Sequence, residues 1–322
     1  MIMSNTNDLA GLILLNNANA SEAEISNILN QAPVIRRLFA QPASQGGTQH
    51  VFNRMLTEPG AGFRLVNEGI TNAGGTFEQV TLACALLDAS FSRDKAIALG
   101  YRKGPQAYMD KEGMASLAAA FFGIEKAIFR ANLNKQFTGL PGNAYFDAIT
   151  VDSQVVDAGG NGGRSVWLLR SAENGVSLIA GNEGNVSMDT EDATVVAYDA
   201  SDRPFTALHR SILGYFGLQV GSQYDAARIA NIDGTTSHKL TDKLIAQALS
   251  KFKAGMMPTL IALSRTSLFE LQDSRTAVNP TGAPAPIPTE AFGIPIEVTD
   301  AIPEDEAALN TTTTTTTTST QA

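Results

Sequence analysis

Three histidines, one cysteine, a glycine cluster and an acidic run are the places where this 322-residue chain could do chemistry. His50, His209 and His238 would have to converge to hold zinc. None stands at a ligand spacing such as HExxH, so they read as ordinary polar or partly buried side chains. Cys84 would need a nearby cation or base to become a nucleophile. It lies instead in an apolar extended run with no basic residue close in sequence, and reads as a packing residue. There is no G-x-S-x-G elbow. The GGNGG run Gly159 to Gly163 lacks the GK[ST] of a phosphate loop and precedes a strand instead of a helix, which makes it a flexible turn. Glu304-Asp305-Glu306 lacks the Asp/Asn/Gly spacing of a calcium loop and reads as a solvated acidic tail. No catalytic, cofactor-binding or metal-ligating residue is assigned, and no cofactor is expected.

Composition narrows the classes further. At 43% hydrophobic and 17% charged, the chain can bury a substantial core. Its longest apolar run, Leu9 to Leu15, falls far short of the roughly 20 residues of a membrane span. Ala18-Asn19-Ala20 mimics a signal-peptide cleavage site, but no basic residue precedes the apolar run and Asp8 abuts it. The glycosylation sequons at Asn19, Asn185 and Asn310 are therefore taken as chance. One cysteine excludes an internal disulfide and fits a reducing compartment. The net charge of −9, with no cluster of Lys and Arg, argues against nucleic-acid binding, which relies on counterion release.

The elements that would position these residues follow from periodicity and punctuation. Residues 1–47 read as an arm, with a short helix from Ser21 to Leu29 that Pro33 stops. From Thr48 to Phe91 the pattern is β-like, with turns at Glu58-Pro59-Gly60 and Gly74-Gly75. This predicts a long two-stranded excursion that needs a neighbour to lie against. Gly104-Pro105 opens a helix predicted to run to about Asn132. Met114, Leu117, Phe121, Ile124, Ile128 and Ala131 form its apolar stripe, with Glu125 mostly off it. SVWLLRSAENGVSLIAG reads as a hairpin turning at Asn174-Gly175, and Ala193 to Ile232 as a second β-rich stretch. A helix is expected over Leu240 to Phe252, then a buried strand in MPTLIALS and a helix capped by Ser264 or Thr266. The final strand, in FGIPIEVTDAI, is placed at a sheet edge by Pro295. Thr311 to Thr318 is low-complexity and has nothing to bury.

In this order, ILNQAPVIRRLF, FRLVNEGITNAGGTFEQVTLACALLDASFSRDKAIA, FRANLNKQFTGL, SVWLLRSAENGVSLIAG, ARIANID and FGIPIEVTDAI make the chain resemble the major capsid proteins of tailed bacteriophages. That family has the Hong Kong 97-type coat fold, and the resemblance spans about Ile28 to Ile302. It implies an α+β subunit with an N-terminal arm (1–47), an extended β-hairpin loop (48–98), a peripheral domain (99–204) holding a long spine helix (105–132), a mainly axial domain (205–302) and a tail (303–322). The last strand is allowed to return to the peripheral domain. The implied partner is the chain itself, in pentamers and hexamers of an icosahedral virion shell assembled in the host bacterial cytoplasm. The shell encloses double-stranded DNA without sequence-specific binding. Portal, scaffolding and cement or decoration proteins are further expected partners, and no membrane is involved.

One departure from the family is informative. The prototype of the fold welds its shell by an isopeptide bond from a lysine in the extended loop, whereas here no lysine precedes Lys95. The shell is therefore expected to be non-covalent. Particles boiled in denaturant should run as a single band near 34 kDa, and a ladder of multimers would show the expectation wrong. The rival readings are an encapsulin-like cargo compartment of the same fold, an unrecognised soluble hydrolase, and a secreted surface-layer or adhesin subunit.

Overall fold

Strand-like runs without period-two alternation must be covered on both faces, and so need a pairing partner on each side. Much of this chain's pairing follows from that rule. The computed structural model describes residues 30–45, 47–57, 59–69, 74–130, 137–150, 153–182, 186–188, 192–279 and 283–310. The predicted helix Ser21 to Leu29 and the threonine run lie outside them. The chain divides into two units.

The first unit takes in the described residues up to Ile128 and Ser171–Ser222. Helix α1 (Pro33–Arg37) begins at Pro33, which therefore starts a helix and does not stop one. A proline at the first helical position gives up only an N–H that has no intrahelical partner there. Strands β1 (Phe39–Pro42), β2 (Gln49–Thr57), β3 (Thr76–Ala83), β4 (Ala85–Asp88) and β5 (Phe91–Asp94) follow, then α2 (Lys95–Gly100) and the long α3 (Pro105–Phe129). After Ser171 come β8 (Val176–Ala180), β9 (Ser187–Met188), β10 (Ala193–Tyr198), β11 (Pro204–Arg210) and β12 (Ile212–Val220); the intervening β6 (Val155–Asp157) and β7 (Arg164–Leu169) belong to the second unit. One sheet has the order β1-β8-β12-β4 with β9 also on β12, another β10-β11-β5, and β2-β3 stand as a two-stranded hairpin. The predicted excursion is thus real but ends at Ala83. The residues after Cys84 leave it to pair with β12 and β11.

Helix α3 buries Phe121, Ile124 and Ile128 of the predicted stripe, and Met114 and Leu117 are half-buried. Phe121 meets Phe216 of β12 edge-on, with ring centroids 6.4 Å apart. Glu125 departs from the sequence reading, because it is fully buried. Its carboxylate accepts from the Val34 and Ile35 amides at 3.0 and 3.1 Å, the first N–H groups of α1 that have no intrahelical partner. An acidic side chain is stable there because it meets donors at the positive end of a helix, so the long helix holds the arm through a charge-assisted cap.

The second unit comprises Phe129 and Arg130, Gly139–Arg170 and the described residues from Gln223 onward. Its sheet has the order β15-β16-β14-β7-β13-β6. The strands are β6 (Val155–Asp157), β7 (Arg164–Leu169), β13 (Ala226–Ile232), β14 (Leu260–Leu263), β15 (Glu290–Ala291) and β16 (Ile294–Val298). Helices α4 (Asp242–Leu249), capped by Thr241, and α5 (Arg265–Ala277), capped by Ser264, are those expected from sequence. Ile245, Ala248, Leu268 and Leu271 bring them onto the sheet core with Val166, Leu168, Ile229 and Ile261.

Two sequence expectations need correction. Val166–Leu169 and Val176–Ile179 do not form a hairpin with each other: β7 pairs with β13 and β14, and β8 with β1 and β12. Both strands are buried at every position, so each needs two partners, and the local turn does not decide the pairing. The strand containing Pro295 is not a bare edge, since the two-residue β15 covers it on one side and β14 pairs on the other. Residues 164–169 share a sheet with 226–232, while 205–222 belong to the first unit.

Candidate functional site

The residues weighed for chemistry do not converge. Among the described residues, no group of three or more His, Cys, Asp and Glu side chains is placed to hold a metal. Each histidine has a local role. His238 and Thr235 flank Asp233, whose carboxyl lies well below its usual range because the Thr235 hydroxyl and amide bond to it. The Ser92 hydroxyl and His209 Nδ1 are 3.0 Å apart across β5 and β11. Cys84 is buried and its thiol pKa is pushed up, which leaves it a poor nucleophile.

What the first unit does present is a projecting arm with a polar root and an apolar apex. At the root, His50 Nδ1 accepts from the Ser44 amide at 3.2 Å, so Nε2 carries the proton and donates to Gln219 Oε1 at 2.8 Å. Gln41 Nε2 reaches the same oxygen at 3.1 Å, and the Gln219 amide donates to the Glu173 carbonyl at 2.9 Å. The hairpin is thereby fixed to β1 and β12 beside a cleft of about 340 Å³. Histidine is suited to this position because its two ring nitrogens can accept and donate at once.

Away from the root, β3 is exposed at most positions. At the apex, Glu68 accepts from the Leu65 amide at 2.9 Å and the Glu68 carbonyl accepts from Arg64 at 2.8 Å, which closes a turn at Leu65–Glu68. That turn satisfies its own backbone yet leaves Phe63 fully exposed, Val66 89% exposed and Leu65 72% exposed. Phe77 on β3 is 65% exposed. A monomer that leaves several large apolar side chains in water on one arm is built for contact with another surface.

The acidic run departs most from the sequence reading, because Glu304 and Glu306 are not a solvated tail. Glu306 pairs with Arg228 at 2.8 Å and Glu304 with Arg164 at 3.1 Å. Arg228, 4% exposed, lies over the Trp167 ring with its charge 5.1 Å from the centroid. Periodicity could not reveal these pairs, since the partners are about 80 and 140 residues apart in sequence.

Two sheet-bearing units, an extended hairpin and a long helix make a mixed helix-and-sheet subunit of the Hong Kong 97-type coat fold. The chain is similar to one in the structure of bacteriophage Epsilon15, with a TM-score of 0.61 and 19% identity over 84% of this chain and 88% of that one. It is also similar to a chain of the bacteriophage JBD30 capsid, with a TM-score of 0.51 and 11% identity over 94% and 99%. No curated protein matches the sequence. The family model described as major capsid protein GP7 matches residues 17–310, and the chain belongs to that family. It is a structural subunit of an icosahedral phage capsid and not an enzyme.

Proposed function

We propose that copies of this chain close into rings of five and six through heterologous contacts, and that these rings join into a shell enclosing double-stranded DNA. The exposed apolar apex around Phe63, Leu65 and Val66 carries this reading, because it requires a surface supplied by another copy. In this scheme residues 1–47 form the arm, and the hairpin laps a neighbour. The rest of the first unit serves as the peripheral domain with α3 as its spine. The second unit is assigned the axial role, which moves residues 139–170 into the axial domain and 205–222 out of it. Assembly in the host cytoplasm, a portal, a scaffold and decoration proteins belong to the same proposal. Membership of a phage capsid family puts the encapsulin-like compartment behind the virion shell, and the hydrolase reading falls with it.

The test is electron microscopy of the full chain, expressed alone and together with a scaffolding protein. Closed shells or five- and six-membered rings are expected. Strictly monomeric protein under both conditions would overturn the proposal.

A further inference from the structure

The GGNGG run holds the chain's own closing segment. Gly163 exchanges backbone hydrogen bonds with Glu306, donating at 2.9 Å and accepting at 2.7 Å. Gly162 and Gly163 have φ of +91° and +107°, and a Cβ on Gly162 would lie 2.6 Å from the Glu306 carbonyl oxygen. Only glycine lets the closing segment approach this closely. Three residues along that segment, Asn231 behaves like a strand edge in side-chain form: its amide donates to the Leu309 carbonyl at 3.0 Å and accepts from the Leu309 amide at 2.9 Å. Beside these clamps, the Glu306 side chain meets Arg228 and the Ser165 hydroxyl, and Glu304 meets Arg164.

The strap itself buries little. Glu304, Asp305 and Ala307 are exposed, and Ala308 and Leu309 only partly covered. The seat, by contrast, is built into the core, with Arg164 7%, Arg228 4% and Asn231 5% exposed. A segment held by polar contacts over a small apolar area opens locally, well below the free energy of global unfolding. When it opens, Arg164 keeps Glu270 and Arg228 keeps the Ser165 hydroxyl and the Phe146 carbonyl, but Arg228 loses the carboxylate of Glu306, Arg164 loses that of Glu304, and the backbone edge at Gly163 is freed to pair with another strand.

We propose that Gly160–Ser165, Arg228 and Asn231 form a binding groove for an extended acidic peptide. Its own Glu304–Leu309 fills the groove in cis, and the same segment of a second copy fits it in trans. Recognition combines strand addition at Gly163 with Arg–carboxylate pairing at alternate positions. The proposal does not depend on ring or shell formation.

A fluorescein-labelled peptide of residues 303–310 tests it on the full chain and on a full chain carrying Glu306→Gln. The variant's own strap competes less well, so it should bind the labelled peptide at least about tenfold more tightly than the unchanged chain. A peptide with both glutamates replaced by glutamine should bind neither. The unchanged chain gives an independent readout: the amides of Glu306 and Leu309 should exchange hydrogen at least about tenfold faster than those of β13. Failure of the variant to bind the labelled peptide, equal binding of the glutamine peptide, or exchange as slow as that of β13 would each overturn the groove.

Discussion

A chain in which Phe63, Leu65 and Val66 are all replaced by serine folds as the unchanged chain does and closes no shells. All three side chains stand in water within the subunit, so their loss removes no packing there, and the Glu68 bonds that shape the apex turn use none of these side chains, only the Leu65 amide, the Arg64 guanidinium and Glu68 itself. Burying three such side chains against a neighbour stabilises each contact by on the order of 5 kcal/mol, which multiplies an association constant by more than about a thousand. Every subunit carries the same hairpin, so the deficit recurs at every contact of the ring. The expected outcome is an unchanged thermal midpoint for the dissociated subunit, with particles absent by electron microscopy. Shells at unchanged yield would remove the apex from assembly.

Arg210→Ala destabilises the subunit by about 3–5 kcal/mol, a large part of the roughly 5–15 kcal/mol that holds an ordinary domain folded. The Arg210 side chain is 2% exposed and grips both oxygens of Asp192, at 2.7 and 3.0 Å, while its third nitrogen bonds Asp110 on α3 at 2.7 Å. Truncation leaves the Asp192 carboxylate, 7% exposed, without its counter-charge, and cuts a tie between α3 and β11. Asp110 is 57% exposed and can be hydrated, so Asp110→Ala costs far less, within about 1 kcal/mol. Arg210→Lys should fall between the two, because a single ammonium cannot reproduce the bidentate grip. Urea unfolding of the dissociated subunit ranks the three variants. An Arg210→Ala midpoint equal to that of Asp110→Ala would show that burial of the Asp192 pair contributes nothing.

The parts of the fold legible from sequence are those set by local chemistry. The helix from Pro105, the cap at Ser264 and a two-stranded excursion beginning near Thr48 follow from periodicity, capping residues and turns within a few residues of each other. Illegible were the features decided by partners far along the chain. Glu125 looks like a solvent-facing helix residue until α1, about 90 positions earlier, brings two amides to it. Glu304 and Glu306 look like a tail until Arg164 and Arg228 are placed beneath them. Asn174-Gly175 has the sequence of a hairpin turn, yet continuous burial on either side of it sends β7 and β8 to different sheets. The apex lies between these cases. The excursion was legible, but the prominence of Phe63, Leu65 and Val66 depends on where the hairpin points.

Sheet order also sets a schedule for synthesis. Strand β1 ends at Pro42 and pairs with β8, which is finished only at Ala180, while β7, complete at Leu169, waits for Leu260–Leu263 before it has partners on both edges. At a ribosomal pace of roughly 5–20 residues per second, each of these gaps lasts on the order of ten seconds. A nascent chain therefore carries the apolar run Val166–Leu169 with one edge unpaired through about ninety further residues, and the strap that docks on Gly163 emerges last of the described residues. The hairpin Gln49–Ala83 is likewise made long before β12 brings Gln219 to His50, so its root is anchored only after its apex has already met solvent.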